Sequence, residues 1–389
     1  MIPAMPFRVL PNPRRGTPGL VVLPAGGYRR ARAAITSWPG YAPTPLHALP
    51  DLAAAAGVAS VHIKDEAERF GLGSFKALGG AWAVANVLSA ELARQGAALH
   101  ADTAALESGA LADRTRGITV TCATDGNHER SVAWGAQRFG AACVVFVHHG
   151  VSQARRDAIA RFGAEVREVS GTYDDSVRAC TTNAEAEGWH IVSDTSWPGY
   201  TDIPRDVMQG YRLMPDEVAD AWEGPPPTHA FIQAGVGGVA AAVSVQLRAR
   251  FDPSPDIVVV EPDRAACLFA SAAAGHIVAL PGPLDTLMAG LACGEPSLIA
   301  WQELDRAAAA FMQVPDEAAV EGMRLLAARG IVSGESGAAG LGALMLAAQS
   351  SDARAALALS DASRVLLFSC EGATDPELYA RLVPKSERI

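Results

Sequence analysis

The chain has 389 residues, nearly half of them apolar, and a formal charge of -10, enough to bury one large core or two smaller ones. No Lys/Arg run is long enough to track a phosphate backbone or an anionic membrane, so nucleic acid is not an expected partner. Apolar stretches such as 141–147 and 257–260 have strand length and fall far short of a membrane span.

Residues 1–19 are rich in proline and arginine and lack the apolar core and cleavage site of a secretory signal, so an extended arm is expected. Next comes Gly71-Leu72-Gly73-Ser74-Phe75-Lys76-Ala77-Leu78-Gly79-Gly80, which sets one lysine among small residues, behind an aromatic, where a helix can begin. The segment 102–115 is polar and alanine-rich and is expected as a surface insertion. From there the pattern alternates: strand 118–124, helix 128–139, strand 142–148, helix 153–162, strand 165–169, helix 174–187 and strand 190–193. This is an open α/β subdomain. After the turn-rich Gly224-Pro225-Pro226-Pro227 a second series begins, with strand 230–233, a glycine loop, helix 239–248 and strand 257–260. Helices over 316–329 and 337–348 and a last strand over 364–369 complete a second open sheet.

Gly235-Val236-Gly237-Gly238-Val239 lies between a predicted strand and helix, where clustered glycines let backbone N–H groups and the helix dipole converge on a phosphate. Glycines there also serve tight packing alone. Lys76 by itself reads as a solvated lysine; beside Phe75 and small residues it would be partly desolvated, which favours Schiff-base chemistry. Thr124-Asp125-Gly126-Asn127-His128 ends a strand and opens a helix, the usual place for ligand contacts in open α/β sheets, although Asp125 or Asn127 as a simple cap explains the same residues. Six cysteines (Cys122, Cys143, Cys180, Cys267, Cys293, Cys370) lack zinc-type spacing. They read as mostly reduced thiols of a cytoplasmic enzyme, and no metal site is expected.

Taken together these segments resemble the fold-type II, tryptophan-synthase-β-like family of pyridoxal-phosphate enzymes. The resemblance covers nearly the whole chain. It is carried by Tyr41-Ala42-Pro43-Thr44-Pro45-Leu46, Lys64-Asp65-Glu66, Phe70-Gly71-Leu72, Ser74 to Gly80, Thr124 to His128, Asp194-Thr195 with Trp197 and Gly199-Tyr200, and Met208-Gln209-Gly210-Tyr211. Two further groups, Met288 to Pro296 and Ser333-Gly334-Glu335-Ser336-Gly337, resemble the diaminopropionate ammonia-lyase branch and separate it from threonine or serine dehydratases.

The resemblance implies two open α/β domains with pyridoxal phosphate in the cleft between them. The large cofactor-binding domain would be discontinuous over 1–84 and 206–389, with a small α/β domain over 85–205. Lys76 would carry the cofactor as a Schiff base and take the Cα proton of an L-substrate. Asn127 would contact the cofactor's 3′-oxygen, Gly235, Val236, Gly237, Gly238 and Val239 would hold its phosphate, and Cys370 would face the pyridine nitrogen. Asp125 would be the base for a D-substrate. Asp194 would recognise or help deprotonate a diamine, which suits a substrate that needs negative charge near its distal ammonium. Ser74, Thr124 and Glu129 are candidate substrate contacts. The implied reaction is α,β-elimination of D- or L-2,3-diaminopropionate to pyruvate and two ammonia, by a homodimer.

Three residues depart from the family pattern. Glu129 stands where the family has glycine, in the first turn of a helix; it is either a solvent-facing N-terminal charge or a pocket residue selecting a longer or more cationic substrate. Cys370 replaces a threonine or serine, and a thiol is a poorer donor. Gly73 stands where asparagine is common. Glu129 motivates an alternative, a carbon–nitrogen lyase or β-replacement enzyme of the same fold acting on an N-substituted diaminopropionate or another β-substituted amino acid. A sensor without catalysis is the other alternative, against which Lys76, Asp125 and Asp194 argue, since binding alone needs neither the amine nor both carboxylates. Cys267 and Cys293 match two family cysteines that can approach each other; in a reducing compartment two buried free thiols are expected.

Overall fold

Strand-length apolar runs assemble into two separate sheets. The computed structural model describes residues 2–96, 103–123 and 126–384. Its strands are β1 (Arg8–Pro11), β2 (Leu46–Ala48), β3 (Ser60–Asp65), β4 (Thr119–Ala123), β5 (Ala142–His148), β6 (Glu165–Val169), β7 (His190–Ile191), β8 (His229–Gln233), β9 (Asp256–Pro262), β10 (Ala308–Val314) and β11 (Arg364–Ser369). The chain forms two compact units. The first takes the segment ending at Leu23, Ala42–Phe75 and the chain from Met214 on; the second takes Pro24–Tyr41 and Lys76–Leu213. Positions 84/85 and 205/206, where the sequence suggests domain boundaries, fall inside the helices Lys76–Arg94 and Asp202–Tyr211, and each helix stays whole in the second unit.

In the first unit the strand order is β1-β10-β9-β8-β11-β3-β2. The five inner strands run parallel and the two outer ones antiparallel. β8 is buried along its whole length and β11 after its first residue, as expected of parallel strands covered on both faces. Helices Asp316–Ala327 and Ala339–Ala348 supply much of the core, through residues such as Met323, Leu326, Leu341, Leu344 and Met345. The N-terminal arm is not merely extended: Arg8 to Pro11 pair with Gln313 to Ala310 as β1. β10 itself carried little signal, because Ala308, Ala309 and Ala310 have no strand preference to set against the helix before them.

The second unit has a four-stranded parallel sheet in the order β6-β5-β4-β7. The helix Lys76–Arg94 packs on the helices Asn127–Phe139 and Asp202–Tyr211. The approach is backbone-close. A Cβ at Gly210 would collide with the Leu78 carbonyl, and one at Gly80 with the Ser131 side chain. The segment 103–115 packs rather than decorates, with short helices Thr103–Glu107 and Ala112–Thr115, buried Leu106 and Thr115, and Glu107 paired to Arg138 at 2.7 Å. Among the described residues no helix is long and apolar enough to cross a membrane, and no three His, Cys, Asp or Glu side chains converge as metal ligands.

Candidate active site

Each unit builds one cluster from the residues singled out above. In the second, Lys76 is the first residue of its helix, and its carbonyl accepts a hydrogen bond from Ser131 Oγ at 2.7 Å. Nζ of Lys76 pairs with Oδ2 of Asp194, with both side chains retaining some exposure, 20% and 14%. Nζ also lies 5.7 Å from the Tyr211 ring centre. Asp194 follows the short β7, in a turn that Tyr200 ties down: the Tyr200 hydroxyl accepts from Ser193 N at 3.1 Å and donates to Ile191 O at 2.8 Å. Trp197 stacks on Tyr200 with ring centres 4.2 Å apart. His128, buried in the first turn of the helix Asn127–Phe139, places Nε2 2.8 Å from Val192 O and Nδ1 3.9 Å from Asp194 Oδ2. Burial alone would raise the Asp194 carboxyl; Lys76 first and His128 second outweigh it and hold the group well below the usual carboxylate range.

Neighbouring positions resolve less evenly. Asn127 Oδ1 accepts from Arg130 Nη2 at 2.6 Å. Glu129 is fully buried, and its Oε2 accepts from Gly126 N at 2.8 Å, so it is not a solvent-facing charge; the carboxylate folds back on its own helix terminus. Thr124 and Asp125 lie outside the described residues. Tyr200 and His128 are the site residues whose parts were not foreseen. Tyr200 works by gripping backbone across a turn, which leaves no spacing signal. His128 at a helix start is what any capping segment can contain.

In the first unit the glycine loop follows β8 directly. Gly237 sits at φ +95°, where a side chain would be strained, and opens the helix Gly238–Arg250. A Cβ on Gly235 would come within 2.8 Å of Cys293 Sγ, so the loop lies flush against the 288–296 segment. Val236 O accepts from Ser297 N at 2.9 Å. That segment reaches the next motif through Gly290 N to Ser336 Oγ at 3.2 Å, and Ser336 N donates to Glu371 Oε1 at 3.1 Å. Cys370 is buried just past β11, its carbonyl accepting from Phe75 N at 3.1 Å, and the buried Ser74 bridges to Glu371. Five segments far apart in sequence thus meet in one unit. All six cysteines are free thiols; Cys267 is buried and Cys293 only partly so.

The residues suit pyridoxal phosphate. An aldehyde cofactor with a phosphate needs an amine that can condense with it and an anion cradle. The second unit offers the Lys76 amine beside a carboxylate, and the first a glycine-rich turn at a 13-residue helix N-terminus.

Comparison with known proteins agrees. The family described as pyridoxal-phosphate dependent enzyme matches residues 37–371. A diaminopropionate ammonia-lyase of Escherichia coli K12 is 41% identical over 357 residues, covering 88% of each chain. Among solved structures, holo diaminopropionate ammonia lyase from Escherichia coli superposes with a TM-score of 0.91 at 36% identity, covering 100% of this chain and 99% of that one. The same enzyme in complex with an aminoacrylate-PLP azomethine reaction intermediate gives 0.88 at 36% identity, covering 99% and 98%.

Proposed function

The chain belongs to the fold-type II pyridoxal-phosphate-dependent enzymes, and from that premise we propose that it eliminates ammonia from 2,3-diaminopropionate, the product then taking up water to give pyruvate and a second ammonia. The observation that carries the proposal is the contact between the Lys76 amine and the Asp194 carboxylate, a base and an anion adjacent in one place. Bound pyridoxal phosphate supplies the electron sink for the charge left at Cα when its proton leaves.

The chain's own residues do the rest. Lys76 would hold the cofactor and, released from it, take the Cα proton of the L-enantiomer. Asp194 would receive the substrate's second ammonium, whose charge matches that of the lysine it displaces. Asp125 would remove the proton of the D-enantiomer. The glycine loop Gly235 to Val239 would hold the phosphate, Asn127 the 3′-oxygen and Cys370 the ring nitrogen, the last more weakly than a hydroxyl. Ser74, Thr124 and Glu129 remain candidate substrate contacts. We also propose a cytoplasmic homodimer. Six free thiols support the compartment; family resemblance alone supports the dimer, which light scattering after size exclusion tests.

Purified chain given pyridoxal phosphate and each enantiomer separately should form pyruvate, read by coupled reduction to lactate. No pyruvate from either, with the cofactor bound, would overturn the substrate.

A further inference from the structure

Beside the lysine one carboxylate faces two basic side chains, not one. His128 Nε2 lies 2.8 Å from the Val192 carbonyl, which can only accept, so Nε2 carries a proton in either charge state of the ring. The atom whose protonation can change is Nδ1. It is buried, makes no hydrogen bond and lies 3.9 Å from Asp194 Oδ2. Unprotonated, it turns a lone pair toward a carboxylate; protonated, it completes an ion pair.

We infer that His128 is a positioning residue that replaces the Lys76 ammonium as the counter-cation of Asp194 whenever Nζ is drawn away. While the ammonium touches Asp194, the carboxylate already has a counter-cation at hydrogen-bond distance, and Nδ1 gains less from a proton. With Nζ drawn off to hold the cofactor, Asp194 would keep its negative charge in a largely buried place, which is costly without a cation. Nδ1 then takes one proton from solvent. A substrate bringing its own second ammonium to Asp194 returns that proton to solvent, so the carboxylate stays ionised and in place through the exchange. The other titratable groups around the pair, among the described residues, are Tyr200 in the turn, Tyr211 on the helix Asp202–Tyr211 and Cys122 on β4. Burial pushes all three upward and keeps them neutral. Glu129, on the same helix as His128, adds a carboxylate that already accepts from Gly126 N. Among the described residues no second cation competes for the role.

The last step alone rests on the diamine reading. The test therefore uses no substrate: the imidazole nitrogens of the cofactor-free chain are titrated by 15N NMR, with His128→Asn assigning the signal among nine histidines. Lys76→Ala should raise the His128 midpoint by about one pH unit or more, and adding Asp194→Asn should bring it back down. An unmoved midpoint in Lys76→Ala overturns the inference, whatever becomes of the lyase activity. If that variant does not fold, Lys76→Met, which keeps the bulk of the side chain and removes only its charge, gives the same comparison, and an unmoved midpoint there overturns it equally.

Discussion

In the first unit Lys64, Glu66, Arg69 and Glu217 pair two cations with two anions, while in the second Lys76 and His128 share the single carboxylate of Asp194. The quartet is buried and saturated. Arg69 donates to Glu66 at 2.8 Å and to Glu217 at 2.7 Å, Lys64 reaches Glu217 at 2.5 Å, and Thr44 Oγ1 closes the ring to Glu66 at 2.6 Å. Every charge there has its answer, and nothing is left to bind. The trio has a basic group to spare and keeps some solvent access, so its partners can change. Balanced burial makes structure; imbalance beside solvent makes chemistry.

The contrast can be broken from either side. Lys76→Ala should lower pyruvate formation by about 10³-fold or more, because both the cofactor tether and the base go together; a loss of only a few fold would move the chemistry elsewhere. Arg69→Met should leave two carboxylates facing one lysine and cost about 3–5 kcal/mol in urea unfolding. A near-neutral result would mean that the quartet is no more than a set of replaceable pairs.

The acid limb sharpens the comparison. Asp194 ionises below its ordinary value of 3.8 in the folded chain. Its contribution is therefore complete above about pH 4 and is lost as the pH falls toward the folded value. Asp194→Asn should flatten that limb by up to about 1.4 kcal/mol per pH unit, seen in unfolding free energies measured between about pH 4 and 2. An unchanged limb would separate Asp194 from both bases. The smallest effect belongs to Glu129→Gly, which should cost about 1 kcal/mol through the lost bond to Gly126 N; unaltered thermal unfolding would mean that the carboxylate does nothing for its helix.

Much of this was legible before any coordinates. β5 and β11 fall where the apolar runs put them, residue for residue, because each is rich in branched or aromatic residues, and β6 also matches its expected span of 165–169. Two others were not, the three-residue Leu46–Ala48 and the alanine-led Ala308–Val314, which gain their pairing from a neighbour already in the sheet. Motif order made the Lys76 and Gly235 segments readable as chemistry, but it could not say that Glu129 turns inward or that His128 reaches Asp194. Side-chain direction in a first helical turn depends on the sheet beneath it, which no local pattern encodes.

Both margins of the seven-stranded sheet are closed by strands that run the other way: β1 lies along β10 and β2 along β3. A parallel strand left bare would offer a row of unsatisfied amides and carbonyls to any passing chain. Three or four residues at each side cover the middle of that template, Ala310 to Gln313 on β10 and His62 to Lys64 on β3, and leave only a short edge of their own. Residues 8–11 therefore act as a hem against self-association, and the arm that carries them is the wrong place to trim this protein.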